Sequence, residues 1–205
     1  MLVKSRPERS ILLIVSGPAG SGKTTLCDGM IRHYSPEVQR VVTCTTRPPR
    51  LGEKDGFDYH FLKQSTFDLK LKEGAFYEFA KVHNKCYGTL KSEIQNKLSA
   101  NIDLLLNIDV QGTLTIKESA RNDRALSKQL ITVFVMPPTL DELEKRLYTR
   151  GSDSKEEIQR RLIAAQKEME YWPHYDYCIH SEDKQKDLEN LTAIYKSEKQ
   201  KVLKS

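Results

Sequence analysis

Gly17-Pro18-Ala19-Gly20-Ser21-Gly22-Lys23-Thr24 follows directly on the apolar run Ile11-Leu12-Leu13-Ile14-Val15. It fits the phosphate-binding pattern G-x-x-x-x-G-K-[ST] without an error. The run reads as a buried strand, and the octapeptide as the loop that joins it to a helix. Glycines at 17, 20 and 22 let the backbone turn its N–H groups inward around a triphosphate, because a residue without Cβ reaches positive φ at little steric cost. Lys23 then meets the β and γ phosphates, and Thr24 offers its hydroxyl to Mg²⁺. The helix beginning here points the positive end of its dipole at the anion. A chance match is expected in roughly one chain per hundred of this length, before the strand and helix context is required. The stretch Gly17, Pro18, Ala19, Gly20, Ser21, Gly22, Lys23, Thr24 and Thr25 is therefore read as a nucleoside triphosphate site.

Outward from this loop, strand and helix patterns alternate, which predicts an α/β core with a parallel sheet covered by helices. Core strands are expected at Ile11–Val15, Arg40–Thr43, Ile102–Ile108, Leu130–Met136 and Tyr177–His180. The first helix is expected to reach about Tyr34. Thr139 and Glu142 form a capping box for a helix through Arg146. From Arg47 to about Lys97 the alternation breaks into short strands, Phe57–Phe61 and Phe76–Val82, around a helix capped by Ser65, as an inserted subdomain would. Arg150-Gly151-Ser152-Asp153-Ser154 is small and polar between two charged helical runs, the composition of a hinged lid. The Lys-rich end from Lys184 reads as a solvated amphipathic helix.

The chain has 205 residues, enough for one large domain with a buried core. Charged residues make up 30% and the mean hydropathy is −0.58, so much of the surface is solvated. No apolar stretch approaches the roughly 20 residues needed to span a bilayer, and Met1 to Ser10 lacks the apolar segment of a signal peptide. A cytoplasmic protein without a membrane partner is expected. Cys27, Cys44, Cys86 and Cys178 are too widely spaced for a zinc ribbon and too few for a disulfide scaffold, which favours reduced thiols. A net charge of +5 is modest for a nucleic-acid binder but suits small polyanions if arginines converge.

A phosphate loop does not by itself separate kinase, GTPase, helicase and transporter motor. The insertion opens with Thr43-Cys44-Thr45-Thr46-Arg47-Pro48-Pro49-Arg50-Leu51-Gly52-Glu53, then Asp55-Gly56-Phe57-Asp58-Tyr59. Arg47 and Arg50 bracket two prolines that limit backbone freedom, so two guanidinium forks stand at a fixed separation suited to a phosphate monoester. Tyr59 and Tyr87 add phenolic hydroxyls. On these residues alone an exposed basic loop is an equal reading.

The run T-T-R-x-P-R-x-G-E, the following D-G-x-D-Y and the later Glu78-Phe79-Ala80 with Tyr87-Gly88-Thr89 together resemble the guanylate kinases. The resemblance continues through Asp109-Val110-Gln111-Gly112, Lys145-Arg146-Leu147 with Arg150-Gly151, and Arg161-Leu162 with Ala164-Ala165-Gln166. It implies a P-loop NTPase fold over residues 8–205: a parallel five-stranded sheet flanked by helices, a GMP-binding insertion at about 43–97 and a small lid at about 146–161. The activity implied is Mg²⁺-dependent transfer of the ATP γ-phosphate to GMP or dGMP, by a monomer or weak homo-oligomer. Residue by residue, it implies that Arg47, Arg50, Tyr59 and Tyr87 hold the GMP phosphate, while Thr43, Glu78, Thr89 and Asp109 read guanine. Lys23, Arg146, Arg150 and Arg161 are the implied catalytic cations, and Thr24 the side-chain metal ligand.

The chemistry of guanine fits that assignment. Its pairing edge sets an O6 acceptor beside N1–H and N2–H donors, so a carboxylate accepts from the donors and a threonine hydroxyl donates to O6. Outside the motif, Glu78 would read as a strand-edge carboxylate and Asp109 as an N-cap of a helix starting near Gln111. Thr43 and Thr89 stand where the family usually has serine, Asn107 where an acidic residue commonly precedes Ile108-Asp109, and Ser181 where asparagine is common near the adenine site. A non-catalytic interaction domain of the same fold is the alternative from another class. An intact phosphate loop and the lid arginines argue against it.

Overall fold

The computed structural model describes residues 9–82, 84–149 and 154–202. Its core is a five-stranded parallel sheet in the order β2 (Val38–Arg40), β7 (Asp103–Asn107), β1 (Leu12–Ser16), β8 (Leu130–Met136), β9 (Tyr177–His180). A strand buried on both faces reads as a continuous apolar run, and every residue of β1 is buried. Its side chains alternate between two cores. Ile11, Leu13 and Val15 pack with Leu26, Cys27 and Met30 of α1 (Lys23–Tyr34) and with Leu191 and Tyr195 of α8 (Lys184–Gln200). Leu12 and Ile14 face the opposite layer, with Ile94 and Leu98 of α3 (Lys91–Ser99) and Ile116 and Ala120 of α4 (Val110–Arg121). α5 (Arg124–Gln129) leads into β8.

A second, four-stranded sheet occupies the insertion, in the order β4 (His60–Phe61), β3 (Cys44–Thr45), β6 (Lys85–Leu90), β5 (Phe76–Val82). It has its own small core of Cys44, Phe67 and Phe76, in which the two phenylalanine rings stack at 4.6 Å. α6 (Leu140–Thr149) and α7 (Lys155–Met169) pack through Leu143, Leu147, Ile158 and Ala165 beyond the sheet's carboxyl end. Among the described residues no helix is long and apolar enough to cross a membrane, and all four cysteines are free thiols.

Several boundaries differ from the sequence expectation. The strand expected at Arg40–Thr43 lies earlier, at Val38–Arg40, where its register against Asp103–Leu105 is fixed. Only His60–Phe61 of the expected Phe57–Phe61 strand is extended. A turn takes Phe57 and Asp58, whose amides donate to Lys54 O while Asp58 Oδ2 accepts from Lys54 N at 2.7 Å, and Tyr59 forms an isolated parallel bridge with Asp55. Ser65 does not cap α2 (Gln64–Lys72): the helix begins one residue before it, with Lys63 in the cap position, and Asp68 accepts from Gln64 Nε2 at 2.9 Å. The Thr139–Glu142 cap is present, with Glu142 N donating to Thr139 Oγ1 at 3.0 Å, and its helix continues past Arg146 to Thr149. Arg150 and most of the polar run after it lie outside the described residues.

Candidate active site

Gly17 leaves β1 with φ of 136° and passes so close beneath β8 that a Cβ there would lie 2.5 Å from the carbonyl oxygen of Val135. No side chain fits, so the loop is built on close backbone approach. Lys23 opens α1, and its ammonium donates to the carbonyl oxygens of Gly17 at 2.6 Å and Pro18 at 2.8 Å, which holds Nζ at the mouth of the loop. Thr24 is exposed beside it, and its Oγ1 accepts from Nδ2 of Asn107 at 3.1 Å. Next to the loop opens a cavity of about 600 Å³. Gly20, Gly22 and Thr25 line one side, Lys145 and Arg146 of α6 another, and Ser181 and Asp187 a third.

A second cavity, of about 250 Å³, is lined by Thr43, Tyr59, Glu78, Tyr87, Asn107 and Asp109. A β-bulge between Phe76 and Glu78 builds its floor. Bulges break the two-residue alternation and re-aim a side chain. Here Phe76 enters the insertion core, Tyr77 the main core, and Glu78 the cavity wall. Glu78 comes opposite Thr89, whose hydroxyl donates to Oε1 at 2.5 Å. Gly88 is required by the same bulge, since a Cβ there would sit 2.9 Å from the ring of Phe76.

Glu78 is 8% exposed. Burial pushes its carboxyl above the usual carboxylate range, and the nearby Asp109 adds to this while the Thr89 hydrogen bond opposes it. Asp109 is also the N-cap of α4, accepting from Gly112 N at 2.7 Å, and that helix begins at Val110. Thr89 is fully buried behind Glu78 with its hydroxyl engaged, so of the two threonines Thr43 is the one on the cavity wall.

Arg47 reaches the cavity rim, 5.6 Å over the ring of Tyr59 and 5.9 Å over that of Phe61, and the Tyr59 and Tyr87 rings lie 6.2 Å apart. Its guanidinium donates to Glu53 Oε1 at 2.8 Å and to Pro48 O at 2.7 Å. The other oxygen of Glu53 accepts the Arg50 amide at 2.6 Å, while the Arg50 side chain is exposed. Arg47 holds the Glu53 carboxyl below its usual range, with the Arg50 amide reinforcing it. Glu53 is thus the brace of the arginine loop. It closes the T-T-R-x-P-R-x-G-E run, six residues after Arg47 and three after Arg50, which is the signal that could have marked it.

Of the cations that the sequence assigns to a lid, Arg146 lines the larger cavity with Nε bonded to Glu142 Oε1 at 3.1 Å. Arg161 on α7 has Nε 3.6 Å from Glu157 Oε1. Sequence reasoning passed over Glu168, about two turns beyond Arg161 on that helix. Burial raises its carboxyl, Lys23 draws it down and Asp109 pushes it up, so this carboxylate feels both cavities.

Two cavities thus open at the carboxyl end of a parallel sheet, one beside a phosphate loop and the other walled by the buried Glu78 and the exposed Asp109 under an arginine rim, with Asn107 lining the second and bonded to Thr24 of the loop. Fold and site together define a phosphate-loop kinase that acts on a small nucleotide. The chain belongs to the guanylate kinase family, whose family model matches residues 9–198. It is 40% identical over 92% of its length to a guanylate kinase of Syntrophotalea carbinolica, covering 86% of that protein. It is 41% identical over 85% of its length to one of Novosphingobium aromaticivorans, covering 76%. The crystal structure of guanylate kinase from Anaplasma phagocytophilum matches at a TM-score of 0.73 and 26% identity, over 95% of this chain and 89% of that one.

Proposed function

We propose that this chain transfers the γ-phosphate of ATP to GMP or dGMP in the presence of Mg²⁺, giving ADP and GDP or dGDP. The observation that carries the reading is Glu78, a buried carboxylate braced by Thr89 and set beside Asp109 on the wall of the smaller cavity. Guanine supplies the N1–H and N2–H donors that such a wall lacks, and Thr43 supplies a hydroxyl for O6. Adenine offers no such pair of donors, so polar readout of roughly 10⁴-fold is within reach. Arg47 with Tyr59 and Tyr87 takes the GMP phosphate at the rim, and Arg50 joins from the braced loop. Supported by the separate sheet and core of the insertion, residues of about 43–97 form the acceptor subdomain of an 8–205 kinase domain, with a lid at about 146–161.

The reaction needs no base. The GMP phosphate has a second pKa near 6 and is mostly dianionic at neutral pH. One of its oxygens attacks the γ-phosphorus in line, and the bond to the β-phosphate oxygen breaks with ADP leaving. What the chain contributes is position and positive charge around a loose transition state. Loop N–H groups from Ala19 to Thr25 and the ammonium of Lys23 hold the donor phosphates. Arg146, Arg150 and Arg161 clamp the transferring group as the lid closes and excludes water.

Thr24 fits a Mg²⁺ role. Its oxygen is exposed at the loop mouth, and Asn107 occupies only one of its lone pairs. Among the described residues no cluster of His, Cys, Asp or Glu is placed as a metal cage, which suits an ion bound through one hydroxyl, phosphates and water. When bound, the ion neutralises charge on the β and γ oxygens. The same reading takes the protein as a cytoplasmic monomer or weak homo-oligomer, without nucleic-acid or membrane partners. A coupled ADP-release assay over GMP, dGMP, AMP, CMP and UMP tests it. Turnover with GMP and dGMP is expected, and equal use of AMP overturns the assignment.

A further inference from the structure

We propose that Glu93 is a positioning residue for the acceptor: from the core it sets the strand that carries Tyr59, and with it the distance from the phosphate grip to the base wall. The inference rests on the GMP reading above and concerns a residue that lines neither of the two cavities described so far.

The smaller cavity is built from two parts of the chain. Asn107 and Asp109 come from the end of β7, whereas Thr43, Tyr59, Glu78 and Tyr87 come from the insertion. A nucleotide that touches both parts is held well only if their spacing is fixed. On the Glu78 side packing fixes it, because the neighbouring Tyr77 is 5% exposed in the main core. On the Tyr59 side the phosphate grip rides on β4, with Arg47 over the rings of Tyr59 and Phe61 at 5.6 and 5.9 Å. Side chains alternate along an extended chain. Tyr59 and Phe61 therefore face Arg47, while His60 and Leu62 line a third cavity, of about 520 Å³. Glu93, Asn96 and Lys97 of α3 form its other wall. Open space rather than a packed core separates strand from helix there, so polar contacts set the distance.

Glu93 makes those contacts. Its helix is rooted in the main core by Ile94 and Leu98. Oε1 accepts from the Val42 amide at 3.2 Å and from Lys97 Nζ, one turn on, at 2.6 Å. Lys97 also donates to Arg40 O at 3.5 Å, so the pair grips the chain from the last residue of β2 to Val42, where it leaves the sheet for the insertion. Thr43 comes next and lines the acceptor cavity, and its carbonyl accepts from the His60 amide at 2.8 Å. The His60 ring comes within 3.7 Å of Oε2. One carboxylate on a rigid helix is thus linked to Thr43 through Val42, and to Tyr59 through His60. Hydrogen bonds to an ionised acceptor are the stronger kind, which makes the link stiff.

Calorimetry of GMP and ADP, with steady-state kinetics beside it, tests the role. Glu93→Ala should weaken GMP binding and raise KM for GMP by roughly 10-fold, about the worth of one hydrogen bond to the substrate, with kcat kept within about two-fold and ADP affinity unchanged. Glu93→Gln, whose amide oxygen can still accept from Val42, should lose only about three-fold. A double-mutant cycle shows what Glu93 acts through. In a Tyr59→Phe background the loss from Glu93→Ala should shrink to about two-fold, because the group it positions is already gone, whereas in Glu78→Gln it should persist in full. Should the alanine variant fail to bind ADP, and so fail to fold, the cycle is run on Glu93→Gln, whose loss should vanish in Tyr59→Phe. A fall in kcat with KM for GMP unchanged marks a purely structural role and overturns the proposal, as does an equal loss in the presence and absence of the Tyr59 hydroxyl. Absence of GMP binding in the unmodified protein overturns the acceptor reading and this inference with it; GMP binding that ignores Glu93 overturns the inference alone.

Discussion

Glu78→Gln isolates the acceptor reading, because it keeps the shape of the side chain and changes only its polarity. One carboxylate oxygen accepts from Thr89 at 2.5 Å, and the group is nine-tenths buried, so its remaining acceptor capacity is directed at the cavity. If the amide oxygen of the glutamine keeps the Thr89 bond, its NH₂ confronts the N1–H and N2–H of guanine. If the amide flips, Thr89 loses its acceptor. Either way two charge-assisted bonds to guanine are lost, at about 1.5 kcal/mol or more each. A total near 3 kcal/mol corresponds to roughly 10²-fold in kcat/KM for GMP. AMP makes neither bond and should lose little. The assay is steady-state kinetics with each acceptor at saturating ATP. A proportional loss for GMP and AMP would show that Glu78 supports the fold rather than the base. Stability supplies the control. Burial raises the Glu78 carboxyl, so its stabilising share is present below the unfolded-state value and is lost as pH rises through the folded one. At neutral pH the ionised group is a cost, and the variant should melt no lower than the parent there.

Lys23→Ala should abolish phosphoryl transfer while leaving GMP binding by calorimetry nearly unchanged, since Lys23 is anchored on the donor loop; a matching loss of GMP affinity would contradict the division into two sites. Arg146→Ala and Arg161→Ala should lower kcat and kcat/KM together by about 3 kcal/mol if they serve the transition state, and a normal single-turnover rate with raised KM would reassign them to capture. Arg150→Ala answers to the same measurement. Glu53→Gln should raise KM for GMP several-fold with kcat largely kept, because it loosens Arg47 and the Arg50 backbone; a fall in kcat alone would count against a binding role. Finally, KM for GMP should rise as pH falls toward the raised Glu78 value, and that acidic limb should vanish in Glu78→Gln.

The sheet was legible because each core strand is an apolar run too short for a helix and bounded by breakers, and because the phosphate loop dictates a tight turn and a helix immediately after β1. The insertion was less so. β3 is only Cys44–Thr45, and β6 begins with Lys85 and Cys86, so neither carries a periodic signal and both exist through pairing. The Ser65 cap failed for a related reason: the local pattern was present, but the chain enters α2 one residue earlier, after Leu62 is bonded to Thr45 O. Individual site residues were legible as a motif but not as geometry. Thr89 and Thr43 look equivalent in sequence, yet the bulge at Phe76–Glu78 places one behind the carboxylate and the other before the cavity. Glu168 lies in a charged stretch of ordinary composition, and only the folded chain brings it under the influence of Lys23, whereas Glu53 closes a motif run that could have marked it.

That geometry has one source. β1 is flanked by β7 on one side and β8 on the other, so the connections from these strands leave the sheet in opposite directions and open a crevice at their carboxyl ends. The phosphate loop leaves β1 there, and β7 ends there at Asn107, with Asp109 two residues on. The hydrogen bond from Asn107 to Thr24 ties the two strand ends together, while Asn107 also lines the smaller cavity. A carboxylate at this position would add a third negative group to a wall already holding Glu78 and Asp109, and would raise Glu78 further. A neutral amide keeps the metal-side hydroxyl in place without that repulsion. On this argument Asn107→Asp should strengthen Mg²⁺ association with the nucleotide complex and weaken GMP in the same protein, both read by calorimetry; unchanged GMP affinity would refute the coupling. The two effects are opposite in sign because one side chain stands between Thr24, the proposed metal ligand, and the carboxylates proposed to read the base.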